Sequence, residues 1–264
     1  MKILLIGDIV GRPGREAIAK IVPTLRKDKC LDFVIANAEN IAGGSGLTPE
    51  TVDEALNSQV DVLTSGDHIW KKRNIYDRLD SDHRILRPAN YPETCPGTGG
   101  TVIKSSAGRM VGVVNVEGRV FIDHAGNCPF RTAEREIERL SKDTNIIFVD
   151  IHAEATSEKI ALGRFLDGRV SAVFGTHTHV QTADEKILPG KSAYITDLGM
   201  TGAQDSVIGR KVEPIVEHFL TCMPTKFEMA DKDVELQGAI VEVDEKSGKA
   251  VSIERVREKL KDYL

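Results

Sequence analysis

The run Val170-Ser171-Ala172-Val173-Phe174-Gly175-Thr176-His177-Thr178-His179 holds the pattern that decides the fold: a short apolar stretch that breaks abruptly into imidazoles. An apolar run of this length, bounded by turn residues, reads as a buried strand. The same event recurs along the chain. Ile3 to Gly7 ends in Asp8, Leu31 to Ala38 in Glu39-Asn40, Val60 to Gly66 in Asp67-His68, and Ile146 to Ile151 in His152. Helix-like stretches lie between them. Gly14 to Lys27 spaces Ala17, Ile18, Ile21, Val22 and Leu25 at helical intervals, Thr48-Pro49 opens a helix to Asn57, and Arg131 to Leu140 forms another.

Beyond a Pro/Gly-rich stretch, Arg87 to Gly100, the segments Thr101 to Ile103 and Met110 to Val116 read as paired strands, and Ser192 to Thr196 as a further one. Val234 to Val243 and Ala250 to Arg255 flank Asp244-Glu245-Lys246-Ser247-Gly248-Lys249, whose turn chemistry predicts a hairpin. Alternating strands and helices followed by antiparallel additions predict an α/β chain with two central sheets and helices outside. We read one domain over residues 1–264, with the terminal hairpin completing the second sheet.

Composition narrows the function. With 264 residues, 41% apolar and 28% charged, the chain has enough core to need no staples. The net charge is −5 and the longest basic run is Lys71-Lys72-Arg73, which weighs against duplex nucleic acid but not against a small nucleotide. Cys30, Cys95, Cys128 and Cys222 form no Cys-x-x-Cys pair, so reduced, buried thiols are expected. The start lacks the apolar core of a signal peptide, and no stretch approaches the ~20 apolar residues of a membrane span. The expected location is the cytoplasm, with no membrane partner.

Strand ends of this kind form the ligand-binding edge of α/β sheets. Asp8 by itself is as readily a helix cap or turn residue. Glu39 follows an apolar strand and needs a partner or a metal. Asn40 is readable as a turn residue before Gly43-Gly44-Ser45-Gly46, a loop without the P-loop lysine or dinucleotide spacing. A lone His152 is more often structural. His177 and His179, two apart on an extended segment, would point to one side and form a natural chelate. Together the strand ends point to a metal centre. His83, His124 and His218 have no such setting, and surface or loop roles are expected of them.

Gly7-Asp8, Glu39-Asn40, Gly66-Asp67-His68, His152 and Gly175-Thr176-His177-Thr178-His179 resemble the ordered motifs of the calcineurin-like metallophosphoesterases. More narrowly, the segments Gly7 to Gly11, His152 to Lys159 and Gly175 to Asp184 resemble the bacterial YmdB-like subfamily, and the likeness extends over essentially the whole chain, Arg87-Pro88-Ala89-Asn90 included. The resemblance implies a four-layer αββα sandwich of two mixed sheets flanked by helices. It implies phosphodiesterase activity on 2′,3′-cyclic nucleotides, a binuclear centre and a cytoplasmic homo-oligomer. Carried over by residue, Asp8, Glu39, Asn40 and His179 would hold one metal, and Glu39, Asp67, His152 and His177 the second. Glu39 would bridge, and His68 would donate a proton.

This chain departs from the wider superfamily twice. Val10 stands where most members complete Asp-x-His, a loss shared by the subfamily that Asn40 would fill, and Asp67 stands where Asn is usual. Asp8, Glu39 and Asp67 bring the ligand charge to about −3, favouring a highly charged metal pair but weakening its Lewis acidity. Mixed carboxylate and imidazole ligands suit two divalent or mixed-valence transition metals, iron first with manganese or zinc as alternatives, over calcium. A metal-bridging hydroxide would then attack phosphorus in line while His68 protonates the leaving ribose oxygen. The alternative is a regulatory or scaffold protein of the same fold that binds metal with little or no catalysis. A metallopeptidase is disfavoured, since no His-Glu-x-x-His occurs.

Overall fold

The computed structural model describes residues 1–122 and 126–263. The chain starts with β1 (Lys2–Ile6) and the short β2 (Asp8–Ile9), enters α1 (Gly11–Asp28), and continues through β3 (Phe33–Asn37), α2 (Pro49–Asn57) and β4 (Val62–Thr64). Two 3-10 turns, Asp67–Lys71 and Arg73–Ile75, precede α3 (Tyr76–Ser81). Next come β5 (Gly100–Lys104), β6 (Met110–Glu117), α4 (Pro129–Leu140), β7 (Ile147–His152), α5 (Thr156–Leu166), β8 (Ala172–Thr176), β9 (Lys186–Ile187) and β10 (Ala193–Ile195). The chain closes with β11 (Met200–Ala203), α6 (Val212–Thr221), β12 (Val234–Val243), β13 (Ala250–Lys259) and a 3-10 turn.

The strands form two mixed sheets. The first runs β2-β11-β12-β1-β3-β4, with β13 along β12, and the second runs β5-β6-β7-β8-β10-β9. Alternation along each strand sorts its side chains between two layers. In β1, Leu4 and Ile6 pack with Ile18, Ile21 and Val22 of α1, while Ile3 and Leu5 join a cluster between the sheets. In β7, Phe148 enters that same inter-sheet cluster. Ile147, Val149 and Ile151 face Ile137 of α4 and Leu162 of α5. Three apolar layers between four structural ones make the αββα sandwich that the resemblance implied.

The terminal hairpin joins the first sheet, not the second. β12 lies antiparallel beside β1, with Lys2 opposite Glu242 and Ile6 opposite Gly238. It is buried on both faces, Leu236 toward the α1 layer and Ala239 and Val241 between the sheets, and so serves as an interior strand. The cysteines also differ from expectation: all are free thiols, but Cys30 and Cys222 are exposed and Cys95 and Cys128 only partly covered. α5 escaped the periodicity reading because its inward face includes Glu158 and Lys159 beside Leu162 and Leu166. Among the described residues, no helix is long and apolar enough to cross a membrane.

Candidate metal centre

The strand parity that builds the inter-sheet core also builds the floor of the site. Continuing inward from Phe33, Val62 and Phe148 toward the strand ends, the facing positions become Asn37, Thr64, Asp150 and His152, with Thr176 added from β8; all are buried. Asp150 accepts from Thr64 Oγ1 at 2.5 Å, Thr176 Oγ1 at 2.8 Å and Asn37 Nδ2 at 3.2 Å. Burial pushes its carboxyl up to about 6 despite these donors. Since Thr176 donates to Asp150, its oxygen is left to accept from His152 Nδ1, 3.0 Å away. His152 Nε2 is thereby turned toward Glu39 Oε2 at 3.1 Å and Asp67 Oδ1 at 3.4 Å.

Two donor groups meet above this floor. Glu39, Asp67, His152 and His177 each present an atom within 4.8 Å of the others, and so do Asp8, Glu39 and His179. Glu39 belongs to both. His177 Nδ1 faces His152 Nε2 at 3.0 Å while its Nε2 lies 3.1 Å from Glu154. His179 directs Nδ1 to the Ile208 carbonyl at 3.2 Å, leaving Nε2 3.8 Å from Asp8 Oδ1. Each of these imidazoles has its far nitrogen held by an oxygen, the arrangement that fixes ring orientation around a metal.

Electrostatics gives the same picture. Asp8 Oδ1 and Asp67 Oδ1 are buried with no hydrogen-bond partner. Such orphaned oxygens are costly, and a cation answers the cost. Burial raises the Asp8 carboxyl. Burial works in the same direction on Glu39, but His152 and His68 outweigh it and hold that carboxyl well below the usual range. His152 is raised well above its ordinary value, the nearby carboxylates overcoming the penalty of burial. His177 is depressed to about 4 by burial and by the neighbouring His152. The donor set fits transition metals in both number and type.

Two residues need separate treatment. Asn40 presents Nδ2 to Glu39 Oε1 at 2.8 Å and to His179 Nε2 at 3.2 Å, while its Oδ1 lies 2.8 Å from His68 Nδ1. Ligation through Oδ1 therefore requires a half-turn of the amide, after which Nδ2 would donate to His68. His68 lies in neither donor group, and its ring is partly exposed. Its pKa is raised, the hydrogen bond with Glu39 being the largest cause.

His177 and His179 do not lie on an extended segment. β8 ends at Thr176, and the two histidines adopt φ of 97° and 63°. That positive-φ backbone sends their rings to different donor groups instead of one shared face. Its support was missed in the sequence. Asp197 accepts from the Thr178 amide at 3.2 Å and hydroxyl at 2.6 Å, holding the residue between the histidines, and pairs with Lys159 at 2.7 Å. Lys159 and Asp197 are both buried. The pairing spans distant segments, and only the position of Lys159 at the end of the His152 motif hinted at it.

The centre opens into a hollow of about 340 Å³, lined by Glu39, Asn40, His68, His177 and His179 together with Glu154 and Arg210. Larger hollows of about 580 and 570 Å³ along α1 share no residue with it. His83 is exposed, and His218 lies on α6 with Nδ1 2.8 Å from the Met223 carbonyl. His124 lies outside the described residues.

Comparison with known proteins identifies the family. A model of the YmdB-like protein family matches residues 4–256. The chain is 46% identical to the 2′,3′-cyclic-nucleotide 2′-phosphodiesterase of Bacillus subtilis, over 97% of this chain and 96% of that one. Among solved structures it superposes on a hypothetical protein from Thermus thermophilus with a TM-score of 0.91 and 37% identity, covering 98% of this chain and 99% of that one. It also superposes on a novel phosphatase from Mycoplasma pneumoniae with a TM-score of 0.91 and 32% identity, covering 98% and 93%.

Proposed function

Because the chain belongs to the YmdB-like protein family, we propose that it is a metal-dependent phosphoric diester hydrolase acting on 2′,3′-cyclic nucleotides. The observation that carries the reading is Glu39, one buried carboxylate shared by two donor groups. Asp8, Glu39, Asn40 and His179 would hold one transition metal, iron, manganese or zinc. Glu39, Asp67, His152 and His177 would hold the other. When bound, the pair would lower the pKa of a water and offset charge on the phosphoryl oxygens.

The chain's own residues do the remaining work. Thr176, Glu154 and the Ile208 carbonyl hold the three imidazoles in orientation. In hydrolysis, water oxygen bonds to phosphorus, one phosphorus–ribose oxygen bond breaks, and the departing oxygen takes a proton. His68 is assigned to deliver it. With Asn40 turned to offer Oδ1 to the first metal, its Nδ2 would occupy His68 Nδ1, leaving the ring's Nε2 to carry the transferable proton. On the same resemblance, we place the protein in the cytoplasm as a homo-oligomer acting on small substrates.

The test is turnover of 2′,3′-cyclic AMP and bis-p-nitrophenyl phosphate by purified protein with its metals measured. Hydrolysis that depends on metal supports the reading. Bound metal without turnover supports the scaffold role that Asp67, with its extra charge, keeps open.

A further inference from the structure

Resting on that reading of the site, we propose that Arg210 is a substrate-binding residue that grips the non-bridging phosphoryl oxygens, and that Gly44 of the Gly43-Gly44-Ser45-Gly46 loop beds its guanidinium. Arg210 is the one lysine or arginine among the described residues lining the hollow. No ion pair with a described carboxylate engages it, and burial alone depresses its pKa, with no acid to counter the effect. The contrast with the hollows along α1 is direct: there Arg12 pairs with Glu16 and Arg15 with Glu54. A half-buried guanidinium without an anion, beside a metal-capable cluster, is complementary to an anionic ligand.

Its placement is built. Nη2 donates to the Gly44 carbonyl at 2.8 Å, and Nη1 lies 3.0 Å from Met229 Sδ. These contacts use part of the fork and leave other N–H groups to donate. Gly44 has φ of +85°, and a Cβ there would meet Arg210 Nη2 at 2.7 Å and Met229 Sδ at 2.6 Å. Only glycine lets the guanidinium lie against this loop.

Two of the loop's amides are committed elsewhere: Gly44 N–H bonds to the Asn40 carbonyl and Gly46 N–H to that of Glu39. Gly44 therefore serves as a bed for a cation more than as an amide donor to phosphate. The turn that precedes Arg210 also supplies the Ile208 carbonyl that orients His179. One turn thus places a candidate metal ligand and the free guanidinium on the same hollow.

The test compares manganese-loaded wild type, Arg210→Gln and Arg210→Lys by calorimetry with inorganic phosphate, and by kinetics with 2′,3′-cyclic AMP, 2′,3′-cyclic GMP and bis-p-nitrophenyl phosphate. Loss of charged hydrogen bonds should weaken phosphate binding about ten- to a hundredfold in Arg210→Gln. KM should rise alike for all three diesters, with metal content unchanged, and Arg210→Lys should recover part of the loss. Unchanged phosphate affinity would overturn the assignment. So would a fall in metal content, which would mean the side chain only props the His179 turn, or a loss that varies with the base. If wild type hydrolyses no diester, the proposed function fails, while phosphate calorimetry still decides the role of Arg210.

Discussion

The two sheets bring opposite chemistry to their shared edge. The first supplies Asp8 from the start of β2 and Glu39, Asn40 and Asp67 from beyond the ends of β3 and β4; the second supplies His152, His177 and His179 from β7 and β8. Desolvation at such an edge raises a carboxyl, and at Asp8 it prevails over the nearby His179 and His152. At Glu39 and Asp67 the facing imidazoles outweigh burial and hold both carboxyls below their usual range. The site is therefore a property of the seam, present only when the sheets pack. The exception is instructive: His68 is the imidazole on the acidic side, and it belongs to neither donor group.

The seam is broken most severely at its shared residue. Glu39→Gln should cost more than the ~10–100-fold expected of an outer-shell partner, because it removes a donor from both groups at once. By contrast His179→Ala touches one group, so elemental analysis should find one ion lost and the other kept. Next in size, His68→Ala should lower turnover by ~10²–10⁴-fold with metals retained, as loss of a general acid does. Full activity in that variant would remove His68 from its role.

Smaller effects sharpen the comparison on the histidine side. Asp197→Asn should weaken metal binding by ~10–100-fold, since it loosens the clamp on Thr178 between the two histidines. It also leaves Lys159 buried without its counter-charge, so thermal unfolding should show a cost of about 3–5 kcal/mol. Unchanged metal affinity in a folded Asp197→Asn protein would show that the backbone holds His177 and His179 unaided. Glu154→Gln should have the smallest effect, about tenfold or less on metal affinity, because Glu154 is half exposed and an amide still accepts from His177.

Much of the seam was legible in the sequence because strand ends announce themselves: an apolar run stops and a ligand-type residue follows. That signal found Asp8, Glu39, Asp67, His152, His177 and His179 without structural help. It could not say which sheet takes the terminal hairpin, since β12 carries apolar residues on both faces and fits an interior position in either sheet. Nor could it find Asp197, Glu154 or Arg210, whose roles arise from neighbours distant in the chain. Extended backbone at His177 and His179 was the natural reading of alternation, and the positive φ angles there occur where Asp197, distant in the chain, holds Thr178.

In the proposed site Glu39 joins two metal positions across the seam. Metal content per chain, measured by plasma mass spectrometry on wild type and Glu39→Gln after the same manganese loading and desalting, tests it most directly. Two ions per wild-type chain are expected, with neither site filled in the variant. A single ion in wild type, or two retained without the Glu39 carboxylate, would contradict it.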